Sequence, residues 1–257
     1  MKRKHIIIIM KIIFVCSLTM LAKELWKGYQ EEKDFDEIRQ IIHEQEPTTP
    51  SSDALPENGQ QQKFDKMMQY AKLAEINNEF IGWIKIDNTN LDYPVMHTPN
   101  DEEYYLHRNF NKEYSLSGTP FLSAKNTLEY DSEQIIVYGH NMRNGSMFGN
   151  LQLYKDESFY KDNSTIYFDT LNEEDTYEIF TVFEIDVEVG NGHFPFYEYV
   201  NFDNQASLDN FLNEVRLLEF YDTGVLPEYG DSILSLITCE EYSGSNRLVV
   251  MAVKKDK

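Results

Sequence analysis

From residue 82 onward the chain alternates apolar runs of strand length with short polar turns, and this rhythm confines it to a β-rich fold. The runs are GWIKI at 82–86, LDYPVM at 91–96, GTPFLSA at 118–124 and EQIIVYGH at 133–140. STIYFDT at 164–170, DTYEIFTVFEIDVEV at 175–189, ILSLIT at 233–238 and RLVVMAV at 247–253 complete the series. Pro94 marks its run as an edge or the end of a strand, because proline has no amide to give a ladder. Helical spacing is confined to fewer places. Residues 64–76 carry it, and in 204–220 Leu208, Phe211, Leu212, Val215 and Leu218 fall on one side. Shorter helical pieces fit 101–110 and 146–162. Strands that dominate, with helices decorating them, read as a mixed, mostly antiparallel β-barrel or sheet. No internal repeat and no second-domain signal is present.

The N-terminus has a different character. A basic start, MKRKH, precedes an apolar run of seventeen residues at 6–22, interrupted by Lys11 and a few small polar residues. That is the short end of a membrane span, about 17–25 residues, and Lys11 lies close enough to the end to snorkel. No A-x-A-like site follows, and Val15 rather than a small residue precedes Cys16, so neither form of cleaved signal fits well. The expected organisation is a basic tail at 1–5, an uncleaved membrane anchor at 6–26, a helical and linker stalk at 27–63 and a catalytic body at 64–257. In the stalk, Phe35, Ile38, Ile41 and Ile42 share a helix face, and PTTPSSDALPENGQQQ at 47–62 reads as linker. On this division a chain beginning near Gln62 keeps the whole working body. The positive-inside rule leaves the N-terminus in the cytoplasm and the rest outside, a single-pass protein of the cell membrane.

Charge separates the same two parts. The formal charge is −21, and residues 1–27 hold six Lys or Arg against one Glu, a net of +5, so the remainder carries −26. A body that acidic repels nucleic acid and anionic lipid, and no nucleic-acid partner is expected. Its plainest meaning is a solvated, soluble surface. Six histidines without ligand spacing, and no Gly-rich phosphate loop, give no reason to expect a metal or other cofactor.

Two cysteines are present, and with Cys16 in the anchor Cys239 is alone in the exported part. A lone exported cysteine is either a small buried hydrophobe or a reactive thiol. A thiol nucleophile needs a route to thiolate, a proton shuttle and a donor for the oxyanion. If 233–238 and 247–253 pair as a hairpin, Arg247 stands beside Cys239 and is the candidate donor. Taken alone, it reads more readily as an edge-strand charge. His140 ends a buried-looking strand just beyond a glycine and is the candidate shuttle; His97, His107 and His193 lack that setting, although His97 and His107 remain rivals for the role. Glu241 is a candidate for tuning the site, against a plain reading as a solvated loop carboxylate.

The ordered segments IGWIKIDNTNLDYPV, YYLHRNF, SGTPFL, IIVYGHNMRNGSMFGNL and LITCEEYSGSNRLVVMAV resemble class B sortases, the cysteine transpeptidases of Gram-positive surfaces, over about residues 64–254. The resemblance implies an eight-stranded sortase-type β-barrel with an N-terminal helix and a helix between the sixth and seventh strands. It implies His140, Cys239 and Arg247 as the catalytic three, with Thr238 and Ile237 next to the substrate. Class B members usually carry Ser two residues before the cysteine, where this chain has Ile237, as class A members do. The implied reaction is cleavage after Thr in the C-terminal sorting signal of a surface protein or pilin, through a thioacyl enzyme. The acyl group then passes to an amine of a peptidoglycan precursor or a pilin lysine. An anchored cysteine peptidase that only hydrolyses, and a non-catalytic adhesion module with a structural cysteine, are the competing readings.

Overall fold

A computed structural model describes residues 3–43, 58–127, 133–187, 194–239 and 246–255. Eight strands close into a barrel: β1 (Phe80–Lys85), β2 (Asp92–Met96), β3 (Phe121–Leu122), β4 (Gln134–Gly139), β5 (Thr165–Thr170), β6 (Glu174–Asp186), β7 (Ile233–Cys239) and β8 (Asn246–Lys254). Around the barrel the order is β1-β2-β3-β4-β7-β8-β6-β5. The β2–β3 and β4–β7 contacts are parallel and the other six antiparallel. The expected mixed barrel is the one found; α3 (Glu157–Asp162) precedes β5, and α4 (Gln205–Arg216) lies between the sixth and seventh strands. β2 meets β3 only at Met96↔Phe121, so Pro94 lies beside a stretch without that ladder, where a missing amide is tolerated.

The continuous apolar runs of β7 and β8 have a direct cause: both faces are covered. Leu234, Leu236, Leu248, Val250 and Ala252 fill the barrel. Ile233, Ile237, Val249, Met251 and Val253 point the other way, into a second cluster completed by Leu208, Phe211, Leu212 and Val215 of α4. A strand buried on both sides cannot alternate apolar and polar residues. α4 starts where Asn204 and Ser207 cap each other reciprocally, each side chain accepting from the other's backbone amide.

Two further helices lie N-terminal to the barrel, α1 (Arg3–His43) and α2 (Asn58–Ile76). α2 buries Tyr70 and Leu73, while Phe64, which the spacing places on the core face, is exposed. It is fastened by the Tyr70 hydroxyl donating to Asp169 (2.8 Å) and by Lys66 against Asp169 (2.7 Å). The linker expected at 47–62 falls outside the described residues up to 57, and 58–62 belong to α2.

α1 packs against the barrel. It is one helix through the anchor and stalk segments, and Phe35, Ile38 and Ile42 are buried in the main core. Phe35 packs edge-on to Tyr93 of β2 (centroids 5.2 Å apart), and Arg39 lies over the Tyr93 ring while its Nε donates to the Asp92 carbonyl (2.9 Å). The stalk residues from Glu31 to Ile42 therefore pack with the body, because their one apolar face has the barrel wall to bury against. A chain beginning near Gln62 lacks that face. Phe35→Ala is expected to destabilise the fold by about 3–5 kcal/mol, the usual range for emptying a buried phenylalanine site. Urea unfolding measures this, and a change below about 1 kcal/mol would show that α1 is only loosely attached.

Toward its start the same helix exposes Ile9, Ile13, Phe14, Val15 and Leu21. Among the described residues no helix is long and apolar enough to cross a membrane, so the structure does not support the single-pass anchor expected at 6–26.

Candidate active site

Strand register assembles the site. β4 and β7 run parallel, with Gly139 opposite Thr238, so the residues leaving both strands, His140 and Cys239, emerge at the same end of the barrel. β7 and β8 run antiparallel with Cys239 opposite Arg247, which brings the start of β8 to that same end. β6 closes the group, with Ile185 opposite Arg247. Positions 140, 239 and 247, far apart in the chain, thus share one rim. Gly139 lets the Phe148 ring pack against the end of β4: a Cβ on it would stand 2.7 Å from that ring.

His140 is held by its surroundings. Its Nε2 lies 2.8 Å from the carbonyl oxygen of Leu106, in the 3-10 turn Glu102–His107. A carbonyl only accepts, so Nε2 carries the proton, and in the neutral ring Nδ1 holds the lone pair. The His107 ring stacks on His140, with centroids 5.4 Å apart and planes 27° from parallel. Burial first, and the neighbouring His107 second, push the His140 pKa below the ordinary imidazole value, while the Leu106 carbonyl opposes them. Neutral His140 is therefore the resting form at neutral pH.

Arg247 is half-buried, and its Nη1 donates to the Asn246 carbonyl (3.0 Å). Thr238 and Ile237 are both buried, Ile237 within the cluster under α4. The protein itself covers them, and they form the end of β7. Glu241 and His193 lie outside the described residues. Of the rival histidines, His97 follows β2 and its Nε2 is buried without a hydrogen-bond partner, whereas His107 is exposed and lies against His140. Sequence reasoning missed both His107 and the Leu106 carbonyl as neighbours of His140. Among the described residues, no three His, Cys, Asp or Glu side chains gather in a way that could hold a metal ion.

The model of the Sortase domain matches residues 84–255, which is most of the chain and includes the whole rim. The chain belongs to the sortase family. It is 27% identical to sortase B of Listeria monocytogenes over 228 residues, covering 89% of this chain and 85% of that protein. Among solved structures it is similar to a mutant form of Clostridium perfringens sortase B, at 30% identity and a TM-score of 0.72, covering 88% of this chain and 98% of that one. It is also similar to a Staphylococcus aureus sortase B–substrate complex, at 25% identity and a TM-score of 0.75, covering 90% and 99%. Sortases are cysteine transpeptidases of the cell surface, and the class B resemblance in the sequence agrees with these neighbours. In this sortase the rim formed by β4, β7 and β8 is the place to look for the chemistry.

Proposed function

We propose that this sortase cleaves the C-terminal sorting signal of a surface protein or pilin after Thr and passes the new acyl end to an amine. Cys239 is the nucleophile, His140 the proton shuttle and Arg247 the oxyanion donor. The observation that carries the reading is the register: Gly139↔Thr238 and Cys239↔Arg247 leave a cysteine, a histidine and an arginine on one rim. His140 first takes the Cys239 thiol proton on Nδ1; the thiolate attacks the threonyl carbonyl and Arg247 donates to the developing oxyanion. The leaving amine takes its proton from His140, and a thioester to Cys239 remains. An incoming amine then attacks the thioester and gives its proton back to His140, an amide forms and the thiolate departs. With Nε2–H committed to the Leu106 carbonyl, Nδ1 is the nitrogen that exchanges protons in both halves. Glu241 tunes this region from the loop that joins β7 and β8.

The acceptor is an amine of a peptidoglycan precursor or a pilin lysine. The exposed apolar side chains in the first half of α1, behind a basic start, support attachment to the membrane with the N-terminus cytoplasmic. Added protease should then reach the barrel in intact, wall-stripped cells.

The test is mass analysis of products from sorting-signal peptides, with and without glycine-type, diaminopimelate-type and lysine amines. The right acceptor should raise turnover and divert product from free acid to amide. If every acceptor leaves only free acid at one rate, the chain is a peptidase. A second expected outcome concerns pH. The lowered His140 pKa puts the acid limb of kcat/KM below the ordinary imidazole range, because a protonated His140 cannot accept the thiol proton. A pH–rate profile whose acid limb lies above about 6.5 would contradict this assignment.

A further inference from the structure

The turn that holds His140 is itself held from α1. Four consecutive carbonyls of that turn have known partners. Tyr105 accepts from the Thr119 amide (3.0 Å) and His107 from the Ser115 amide (3.1 Å). Arg108 accepts from the Thr119 hydroxyl (2.9 Å). The remaining one, Leu106, faces the His140 ring. Segment 115–119 therefore fixes the carbonyls on either side of the one that fixes the imidazole. Its own position is tight. Gly118 has φ +60°, and a Cβ there would stand 2.4 Å from the Leu106 oxygen. Its amide donates to the Ser115 hydroxyl (3.2 Å), and the Ser115 and Ser117 hydroxyls lie 2.9 Å apart.

That segment is clamped by Glu31 of α1. The Ser117 hydroxyl donates to its Oε2 (3.0 Å) and the Leu116 amide to its Oε1 (3.3 Å). Glu31 as a whole is only 9% exposed, although α1 is otherwise strongly charged in this stretch. A carboxylate is seldom buried unless its hydrogen bonds repay the lost hydration, and charge-assisted bonds of this kind are among the stronger ones.

We propose that Glu31 is a positioning residue for catalysis: through the 115–119 segment it sets the Leu106 carbonyl, and with it the orientation and tautomer of His140. The inference rests on the role proposed for His140. It makes α1 part of the working enzyme rather than a tether, since the same helix carries the exposed apolar stretch and the clamp. A misplaced proton shuttle costs rate steeply, since about 1 Å can cost about 100-fold.

The test uses the full chain with Glu31→Ala, Glu31→Gln and Ser117→Ala. Glu31→Ala should lower kcat for peptide cleavage by on the order of 10-fold or more, with KM within about twofold. The ring-nitrogen NMR signals of His140 should change from the single Nε2–H tautomer to a mixture. Glu31→Gln keeps the length and one accepting oxygen, and should recover most of the rate. If Glu31→Ala unfolds, Ser117→Ala removes the hydroxyl half of the clamp with little loss of volume, and the same two changes are expected in smaller measure. Wild-type kcat and an unaltered tautomer signal in the alanine variants would overturn the proposal. So would a loss of rate with the His140 signal and the pH profile unmoved, which is what a purely structural role produces. If the wild-type chain cleaves no sorting peptide, the parent reading fails, and the NMR signal still decides the positioning claim.

Discussion

Cys239→Ala is expected to remove cleavage and transfer together, a loss of at least about 10⁴-fold, while the protein stays folded. The size follows from the chemistry. Without the thiol no thioester forms, and neither His140 nor Arg247 supplies another nucleophile. The fold should survive because Cys239 is the last residue of β7, and the ladder that anchors the strand lies upstream, from Ile233↔Val253 to Thr238↔Leu248. Turnover of a sorting peptide is the measurement, with thermal unfolding as the control. Turnover above the uncatalysed rate in a folded Cys239→Ala protein would sink the cysteine mechanism.

The second large effect is expected at Arg247. Arg247→Lys keeps the charge but replaces a planar fork of donors with a single ammonium on a different stem. Loss of one oxyanion donor typically costs about 100- to 1,000-fold in rate. The substitution should therefore cost that much in kcat, with little change in stability, because Arg247 sits at the open end of β8 and is only half-buried. His140→Ala should be comparably damaging. Near-native kcat in Arg247→Lys would reduce Arg247 to a strand-end charge. Failure of His97→Ala, with His140→Ala active, would move the shuttle to the other strand.

How much of this was legible in the residues depends on the distance over which each feature acts. α4 was readable because its apolar face repeats locally, and four of the five residues assigned to it are buried. The β7–β8 pairing was readable because two apolar runs flank one short polar loop. The parallel neighbourhood of β4 and β7 was not, because nothing local in EQIIVYGH says which strand lies beside it. His140 was a candidate from its place at a strand end, and the family resemblance joined it to Cys239. The packing of α1 was visible and underweighted: Phe35, Ile38 and Ile42 lie on one face, but the surrounding Glu, Asp, Lys and Arg residues made the segment read as solvated stalk. The grip on His140 comes from a backbone carbonyl, which side-chain patterns do not display, and the clamp on that turn from Glu31 looked like one more acidic residue in a charged helix.

The most direct test of the central claim is to trap the covalent intermediate. The full chain is mixed with a sorting-signal peptide, quenched in acid, digested and mapped by mass spectrometry, and a second portion is chased with the amine acceptor before quenching. The account predicts the N-terminal part of the peptide, ending in Thr, attached to Cys239 as a thioester. The chase should discharge it as the amide with the free thiol restored. Cleaved peptide with no adduct on Cys239, in a sample where other thioesters survive the same handling, would contradict it.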